Sequence, residues 1–316
     1  MNLLCIWTGS FYNKRRKQEV TIMTYTADSN EITRAYFDSL LVESRFFDSD
    51  LPDMRLKLWG ETFETPIMTA ALSHLHHICD NAMTELAKGA MGAGACHFYG
   101  MGEDKELEDI VATGAKTVKI IKPHTDDKEV FRRIEHAAKT GVFAMGMDVD
   151  HAFSGSGGYD VVQGLPMKAK SKAQIREYVQ ASPVPFIIKG VLSVQDTKAC
   201  VEAGVKGIVV SHHHGIMSHC VPPLMMLPEI VKAAEGQLTI FVDCGVESAM
   251  DVYKALALGA DAVCVGRHLM EPLKNGAQGV TERMKQMSAQ LSAIMARTGV
   301  RDLSSFDPSV IHHRNF

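Results

Sequence analysis

From residue 66 onward the sequence alternates short apolar runs with amphipathic stretches, and it does so eight times. That rhythm constrains the fold more than any other feature. Repeated β–α units cover both faces of a parallel sheet, and eight of them close into a (β/α)8 TIM barrel of the α/β class. Strands are expected at 66–71, 93–99, 117–122, 143–150, 185–190, 207–213, 238–244 and 262–266. Helical patterns at 128–139, 172–180, 194–202, 224–234 and 248–258 lie between them, with Gly141, Gly204, Gly236 and Gly259 placed as stops. The 316 residues accommodate one barrel, which needs roughly 250. Residues 1–24 are read as a flexible N-terminal arm, or as an extension upstream of a start at Met23, and 25–316 as a single domain. Within it, 33–41 reads as an N-terminal helix and 51–65 as a hairpin that plugs the N-terminal face of the barrel. A C-terminal helix at 280–298 carries Met284, Met287, Leu291, Ile294 and Met295 on one side, for core packing or a subunit contact.

Composition narrows the partners. A net charge of −4 offers no global attraction to nucleic acid or to an anionic membrane, so small molecules or further copies of the chain are the expected partners. The seven cysteines are odd in number and scattered through apolar runs, a pattern of reduced core thiols in a cytoplasmic protein. No apolar stretch reaches the length of a membrane span, and Lys14-Arg15-Arg16-Lys17 follows the short apolar opening instead of preceding it, the reverse of a secretory signal.

Function is expected where the strands end. The runs FIIKG, GIVVSHHH, TIFVDCG and AVCVGRH begin apolar and turn polar only at their C-terminal ends, which in a parallel barrel line the mouth where ligands sit. Lys122, Asp148, Asp150, Lys189, His213, Asp243 and Arg267 collect there. Asp243-Cys244-Gly245 and Gly266-Arg267 follow strands seven and eight, the usual phosphate site of a barrel. Glycines there let backbone N–H groups approach an anion, and an arginine adds charge.

The stretch KGVLSVQDTKACVEAGVKGIVVSHHHG and the later LPEIVKAAEGQLTIFVDCGVESAMDVYKALALGADAVCVGRH resemble the FMN-dependent α-hydroxy-acid dehydrogenases, the family of glycolate oxidase and lactate oxidase. The likeness covers most of residues 25–300. It implies an FMN cofactor, hydride transfer from a CH–OH group to flavin N5, and a homo-oligomer of four or more subunits. By match, His213 is the base and Asp150 the carboxylate that orients it. A base near neutral pKa must take the hydroxyl proton, and a carboxylate stabilises the imidazolium so formed. The resemblance places Ala70, Ala71, Lys119, Asp148, Lys189, Ser211, Asp243, Cys244, Gly245, Gly266 and Arg267 around the flavin, with Lys189 beside the ring edge that becomes negative on reduction. Tyr25 and Ile216 fall at substrate positions.

Several positions depart from the family. Ile216 stands where an arginine would grip the substrate carboxylate, and no aliphatic side chain replaces a guanidinium fork. A second arginine expected after strand four is missing from 151–164, and the strand-three tyrosine is Ile121. Lys119 and Asp148 replace a glutamine and a threonine at the ring, and Glu247 replaces an arginine near the phosphate, where it either pairs with Arg267 or simply opens a helix. The expected substrate is therefore not a simple 2-hydroxy acid. Two rival classes remain open. One is a barrel repurposed as a flavin- or phosphate-binding protein. The other is a metal hydrolase built from His74, His76 and His77 with His212, His213, His214, His219 and Cys220.

Overall fold

The structure is a computed structural model, and it describes residues 26–315. The arm expected at 1–24 lies outside them, as does Tyr25. Eight parallel strands form the sheet: β1 Ile67–Thr69, β2 His97–Tyr99, β3 Thr117–Ile121, β4 Ala144–Asp148, β5 Phe186–Val191, β6 Gly207–Val210, β7 Thr239–Val242 and β8 Ala262–Val265. Each is hydrogen-bonded to its neighbours in chain order, and β8 returns to β1 through Val263↔Ile67, Cys264↔Met68 and Val265↔Thr69. A bridge between Leu72 and Tyr99, with Gly100 N–H donating to Leu72 O at 3.0 Å, closes the ring between β1 and β2. The (β/α)8 barrel expected from the alternation is the observed fold.

Every strand is buried on both faces, which is why the strand bodies read as unbroken apolar runs. Successive side chains point to opposite faces. Met68, Phe98, Val118, Ile120, Ile187, Val209 and Phe241 fill the interior, while Ile67, Ile121, Met147, Ile188, Ile208, Val242 and Val265 pack outward against the helices. The hairpin between 51 and 65 forms as Leu56–Leu58 paired with Glu61–Phe63. Its Leu56, Leu58 and Phe63 join the interior cluster, and Trp59 and Phe63 each pack on Phe143, just before β4, with ring centroids 5.7 Å apart. The N-terminal end of the barrel is thus sealed with apolar bulk, and ligand access is left to the opposite end.

The helices follow the sequence reading closely: Asp127–Thr140, Lys172–Ala181, Val194–Ala203, Pro223–Ala234 and Ala249–Ala257. Gly141 and Gly204 are left-handed caps as expected, whereas the helix Pro223–Ala234 is capped one residue early, on Glu235. The C-terminal helix runs Gly276–Arg297 and packs against the helices Ala82–Gly92 and Ala249–Ala257, with Met284, Met287, Leu291 and Met295 fully buried. Core packing accounts for that stripe. The N-terminal helix spans Ser29–Ser39, four residues earlier than the apolar pattern suggests, because the Asp28 side chain accepts from Asn30 N–H at 2.8 Å and starts the helix there. A short strand not expected from the sequence, Ile311–His313, pairs antiparallel with Leu40–Val42. Among the described residues no helix is long and apolar enough to cross a membrane.

One buried group in the barrel wall makes a prediction about stability. His97 on β2 is fully buried, Thr69 Oγ1 lies 2.8 Å from its Nδ1, and its Nε2 has no hydrogen-bond partner among the described residues. Burial pushes its pKa from 6.5 down to about 3. The folded protein therefore holds it neutral while the unfolded chain binds a proton below 6.5. Its contribution is complete at neutral pH and is lost as the pH falls towards 3, with a limiting slope of about 1.4 kcal/mol per pH unit. Urea unfolding between pH 7 and pH 4 should show this loss, and His97→Gln should flatten the slope.

Candidate functional site

The C-terminal ends of β3 to β8 converge on a buried set of charges. Asp148, the last residue of β4, accepts from Lys122 Nζ at 2.6 Å and lies 3.4 Å from Lys189 Nζ on β5, while Asp243 after β7 lies 3.7 Å from the same ammonium. All four residues are buried. Burial acts against the charge on Asp148, but Lys189 and Lys122 outweigh it and hold the carboxyl well below the usual range. Burial likewise disfavours the Lys189 ammonium, and Asp148, Asp243 and Asp150 reverse that, raising its pKa. Unpaired charges at such depth would cost several kcal/mol each, so Asp148 and Lys189 retain their charges only with these partners around them.

His213 joins this set from the loop after β6. Its Nδ1 lies 2.9 Å from Asp150 Oδ1, 3.2 Å from Asp148 Oδ1 and 3.2 Å from Lys189 Nζ. Burial alone would lower its pKa. The hydrogen bonds to Asp148 and Asp150 prevail and raise it. Asp150 sits on the short 3-10 turn Val149–Ala152, where burial and the neighbouring Asp148 raise its pKa. On the far side of the imidazole, His213 Nε2 is 3.1 Å from His151 Nε2, and His151 Nδ1 is 2.8 Å from Asp160 Oδ2. Burial, Lys122 and His213 lower the pKa of His151 against the pull of Asp160.

The backbone under these groups is strained. His213, His214 and Gly215 run consecutively with φ of 47°, 56° and 75°, and Cys244 has φ 68°. Left-handed conformations cost a non-glycine residue roughly 1–2 kcal/mol, and such residues concentrate at functional sites. The turn is pinned from three sides. Ser211 Oγ accepts from His213 N–H at 3.0 Å, His212 Nδ1 accepts from Gly215 N–H at 2.9 Å, and His212 Nε2 is 2.8 Å from Thr33 Oγ1 on the N-terminal helix.

Beside the cluster opens a cavity of about 410 Å³ lined by Ala70, Ala71, Lys189, His213, His214, Asp243, Cys244, Gly245, Glu247, Gly266 and Arg267, among others. This volume is in the range of cofactor sites. Arg267 Nη1 is 3.0 Å from His214 Nε2, and Asn30 Oδ1 lies 2.6 Å from His214 Nδ1 and accepts from Arg267 Nη2 at 3.3 Å. Glu247 is exposed and forms no ion pair with Arg267 among the described residues. It stands just before the helix Ala249–Ala257, whose capping box is made by Ser248 and Asp251. Gly245 carries its carbonyl to Arg34 Nη1 at 3.1 Å, and Arg34 pairs with buried Asp251 at 2.9 Å, so the N-terminal helix braces the loop after β7.

Most sequence-predicted residues thus meet in one place. Lys119 and Ile216 do not line the cavity. The Lys119 ammonium turns to the carbonyl of Gly100 and over the Tyr99 ring at 3.9 Å, and burial pushes its pKa down to about 7. Ile216 lies three residues beyond His213 and is 40% exposed. The ligand set imagined for a metal hydrolase is not assembled. His74, His76 and His77 are exposed on the turn after β1 and belong to no close grouping of ligating atoms. The one such grouping among the described residues, Asp148 with His151 and His213, has an ammonium on each oxygen of Asp148, which a divalent cation would have to displace. Sequence reasoning missed His151 and Asp160. The signal was the run Asp148-Val149-Asp150-His151, which puts a third titratable group one residue past the orienting carboxylate.

Comparison with known proteins supplies a family. The model described as FMN-dependent dehydrogenase matches residues 22–183 and 167–313. An L-lactate oxidase of Lactobacillus jensenii is 27% identical over 90% of this chain and 78% of its own length, and human 2-hydroxyacid oxidase 2 is 26% identical over 88% of each. A crystal structure of mandelate oxidase superposes with a TM-score of 0.82 at 25% identity, covering 92% of this chain and 91% of that one. A mandelate oxidase variant solved with an FMN adduct superposes equally well.

Gly190 tests the integrity of the site. It forms a bulge in β5 with φ 91°, and a Cβ there would come within 2.4 Å of Asp150 Oδ2. Gly190→Ala should lower unfolding free energy by on the order of 2–5 kcal/mol, from the left-handed backbone and the overlap together. Urea denaturation measures it.

Proposed function

Because the chain belongs to the FMN-dependent dehydrogenase family, we propose that His213 is the base that takes the hydroxyl proton of its CH–OH substrate and that Asp150 orients it. FMN is the cofactor, and when bound it supplies the hydride acceptor. The residues present fit that group. Gly245 and Gly266 leave backbone exposed in the cavity, Arg267 with His214 offers a positive edge for a phosphate, and Lys189 is held charged at the deep end. The observation that carries the reading is that Lys189, His213 and Arg267 line a single cavity, which brings groups suited to a flavin ring, a hydroxyl proton and a phosphate to one site.

The substrate we infer is a hydroxy acid derivative larger and less anionic than lactate or glycolate. Supporting this, Ile216 stands where the family resemblance expects a guanidinium, and the loops bearing His151 and His213 carry exposed apolar residues: Phe153, Tyr159, Ile216 and Met217. Phe153 and Tyr159 stack at 5.8 Å. A homo-oligomeric, cytoplasmic enzyme is part of the same reading, and the free thiols of Cys96, Cys200 and Cys264 are compatible with a reducing compartment.

The purified protein should be yellow with bound flavin. Arg267→Ala should weaken FMN binding about 10- to 100-fold, the worth of a charged hydrogen bond, as read by flavin fluorescence. Anaerobic mixing with a panel of 2-hydroxy acids, their amides and their esters should bleach the flavin fastest with the bulky neutral derivatives. His213→Ala should slow that bleaching by about 10²- to 10⁴-fold while leaving FMN bound. Bleaching unchanged in His213→Ala would overturn the assignment of the base.

A further inference from the structure

We propose that the base of this enzyme is a pair of histidines that hold one proton between them, with His151 as a positioning residue that takes that proton when His213 turns to substrate. The inference rests on the reading of His213 as base. Its ground is geometric. The two Nε2 atoms are 3.1 Å apart, and that line accommodates one proton only. With none, two lone pairs would face each other, and with two, the N–H groups would collide. Each imidazole is backed by its own carboxylate through Nδ1, Asp150 Oδ1 at 2.9 Å for His213 and Asp160 Oδ2 at 2.8 Å for His151. The result is a continuous chain, Asp150–His213–His151–Asp160, whose rings meet edge to face at 4.3 Å between centroids. The other charges facing the pair are Asp148 and Lys189 at His213 and Lys122 beside Asp148, with Asp243 behind Lys189.

The proton steps balance. In the resting pair one proton lies on the Nε2–Nε2 line. The substrate hydroxyl enters between the rings, the shared proton becomes the Nε2–H of His151, and the freed lone pair of His213 faces the hydroxyl. As the O–H bond breaks, its proton forms Nε2–H on His213, and the hydride leaves the substrate carbon for the acceptor that FMN supplies. The pair has then gained one proton, with Asp160 backing the imidazolium of His151 and Asp150 that of His213. Release to solvent runs from the outer edge of the pair, since the side chains of His213, His151 and Asp160 are 25%, 23% and 25% exposed, against 14% for Asp150 and 5% for Asp148.

The arrangement changes the pH window. A lone His213 with a raised pKa is blocked by its own proton below that pKa. In the pair the first proton is parked between the rings, and the second binds only at lower pH because two adjacent imidazolium groups repel. The base-competent form therefore persists to more acid pH than a single histidine allows.

Nitrogen-15 NMR of histidine-labelled, FMN-loaded protein tests this without a substrate. The resonances of the pair are assigned by their disappearance in His151→Gln and His213→Gln. His151 and His213 should titrate together in two separated steps, and in His151→Gln the remaining His213 should titrate in one step, moved by about one pH unit or more from the lower step of the pair. Asp160→Asn, which leaves both rings in place and removes the carboxylate that favours a proton on His151, should lower the second step and widen the separation, a readout independent of any loop perturbation by His151→Gln. Titration of His213 in a single step that neither substitution moves would overturn the proposal. With a substrate from the panel, the acid limb of flavin bleaching should shift upward in His151→Gln by the same amount. Coupled titration without bleaching by any hydroxy compound would keep the pair and remove the assigned reaction. Bleaching with uncoupled titration would do the reverse.

Discussion

The site depends on two ammonium groups held around one buried carboxylate. Asp148 is almost completely enclosed, yet Lys122 and Lys189 keep it ionised, and it in turn keeps Lys189 charged. Lys189 could not remain an ammonium at that depth alone. The cluster fixes the ends of β3, β4 and β5 relative to one another, and it gives His213 a polar anchor in an otherwise apolar barrel. Family members that carry other residues beside the flavin ring need not share this balance. Here Lys122 offsets Asp148 locally, and Asp148 with Asp243 holds Lys189 as a cation where it meets the cavity.

A second constraint is conformational. The loop after β6 carries three left-handed residues in succession, two of them histidines, and the hydrogen bonds from Ser211, His212 and Thr33 hold it there. That strain aims His213 Nδ1 down into the carboxylates and leaves Nε2 pointing across the mouth. His214, the next residue, faces the opposite way, towards Arg267 and Asn30. One strained turn thus faces both the buried carboxylates and the Arg267 side of the cavity, and the histidine run is divided between the two.

Much of this was legible in the sequence. The strand bodies announce themselves because both faces are buried, and the switch from apolar to polar at their ends places Lys189, Asp243 and Arg267 without any structure. Elements fixed by single local contacts were harder to place. The N-terminal helix begins at the Asp28 cap and not where its apolar stripe begins, and the strand Ile311–His313 is too short to show a period. His151 was overlooked for another reason. Its segment reads as a loop lacking an arginine, and its role exists only because β4 and β6 bring two loops 62 residues apart in sequence into contact. No pattern within either loop encodes that meeting. Lys119 illustrates the converse: its position follows from alignment with the ring, but its direction is set by the Tyr99 face and the Gly100 carbonyl.

The pairing of Ile311–His313 with Leu40–Val42 ties that strand to the helix that braces the site. Leu40 directly follows the helix whose Thr33 steadies His212 and whose Arg34 grips the Gly245 carbonyl. Tension applied at the carboxyl end, by surface attachment or a fused partner, would load this helix first and reach the loops after β6 and β7 through it. Among the described residues the helix Lys172–Ala181, which lies between β4 and β5, makes no hydrogen bond to those two loops. As a mechanical object the barrel therefore has a sensitive handle and an inert one, and immobilised or fused forms of the enzyme should be built on the second.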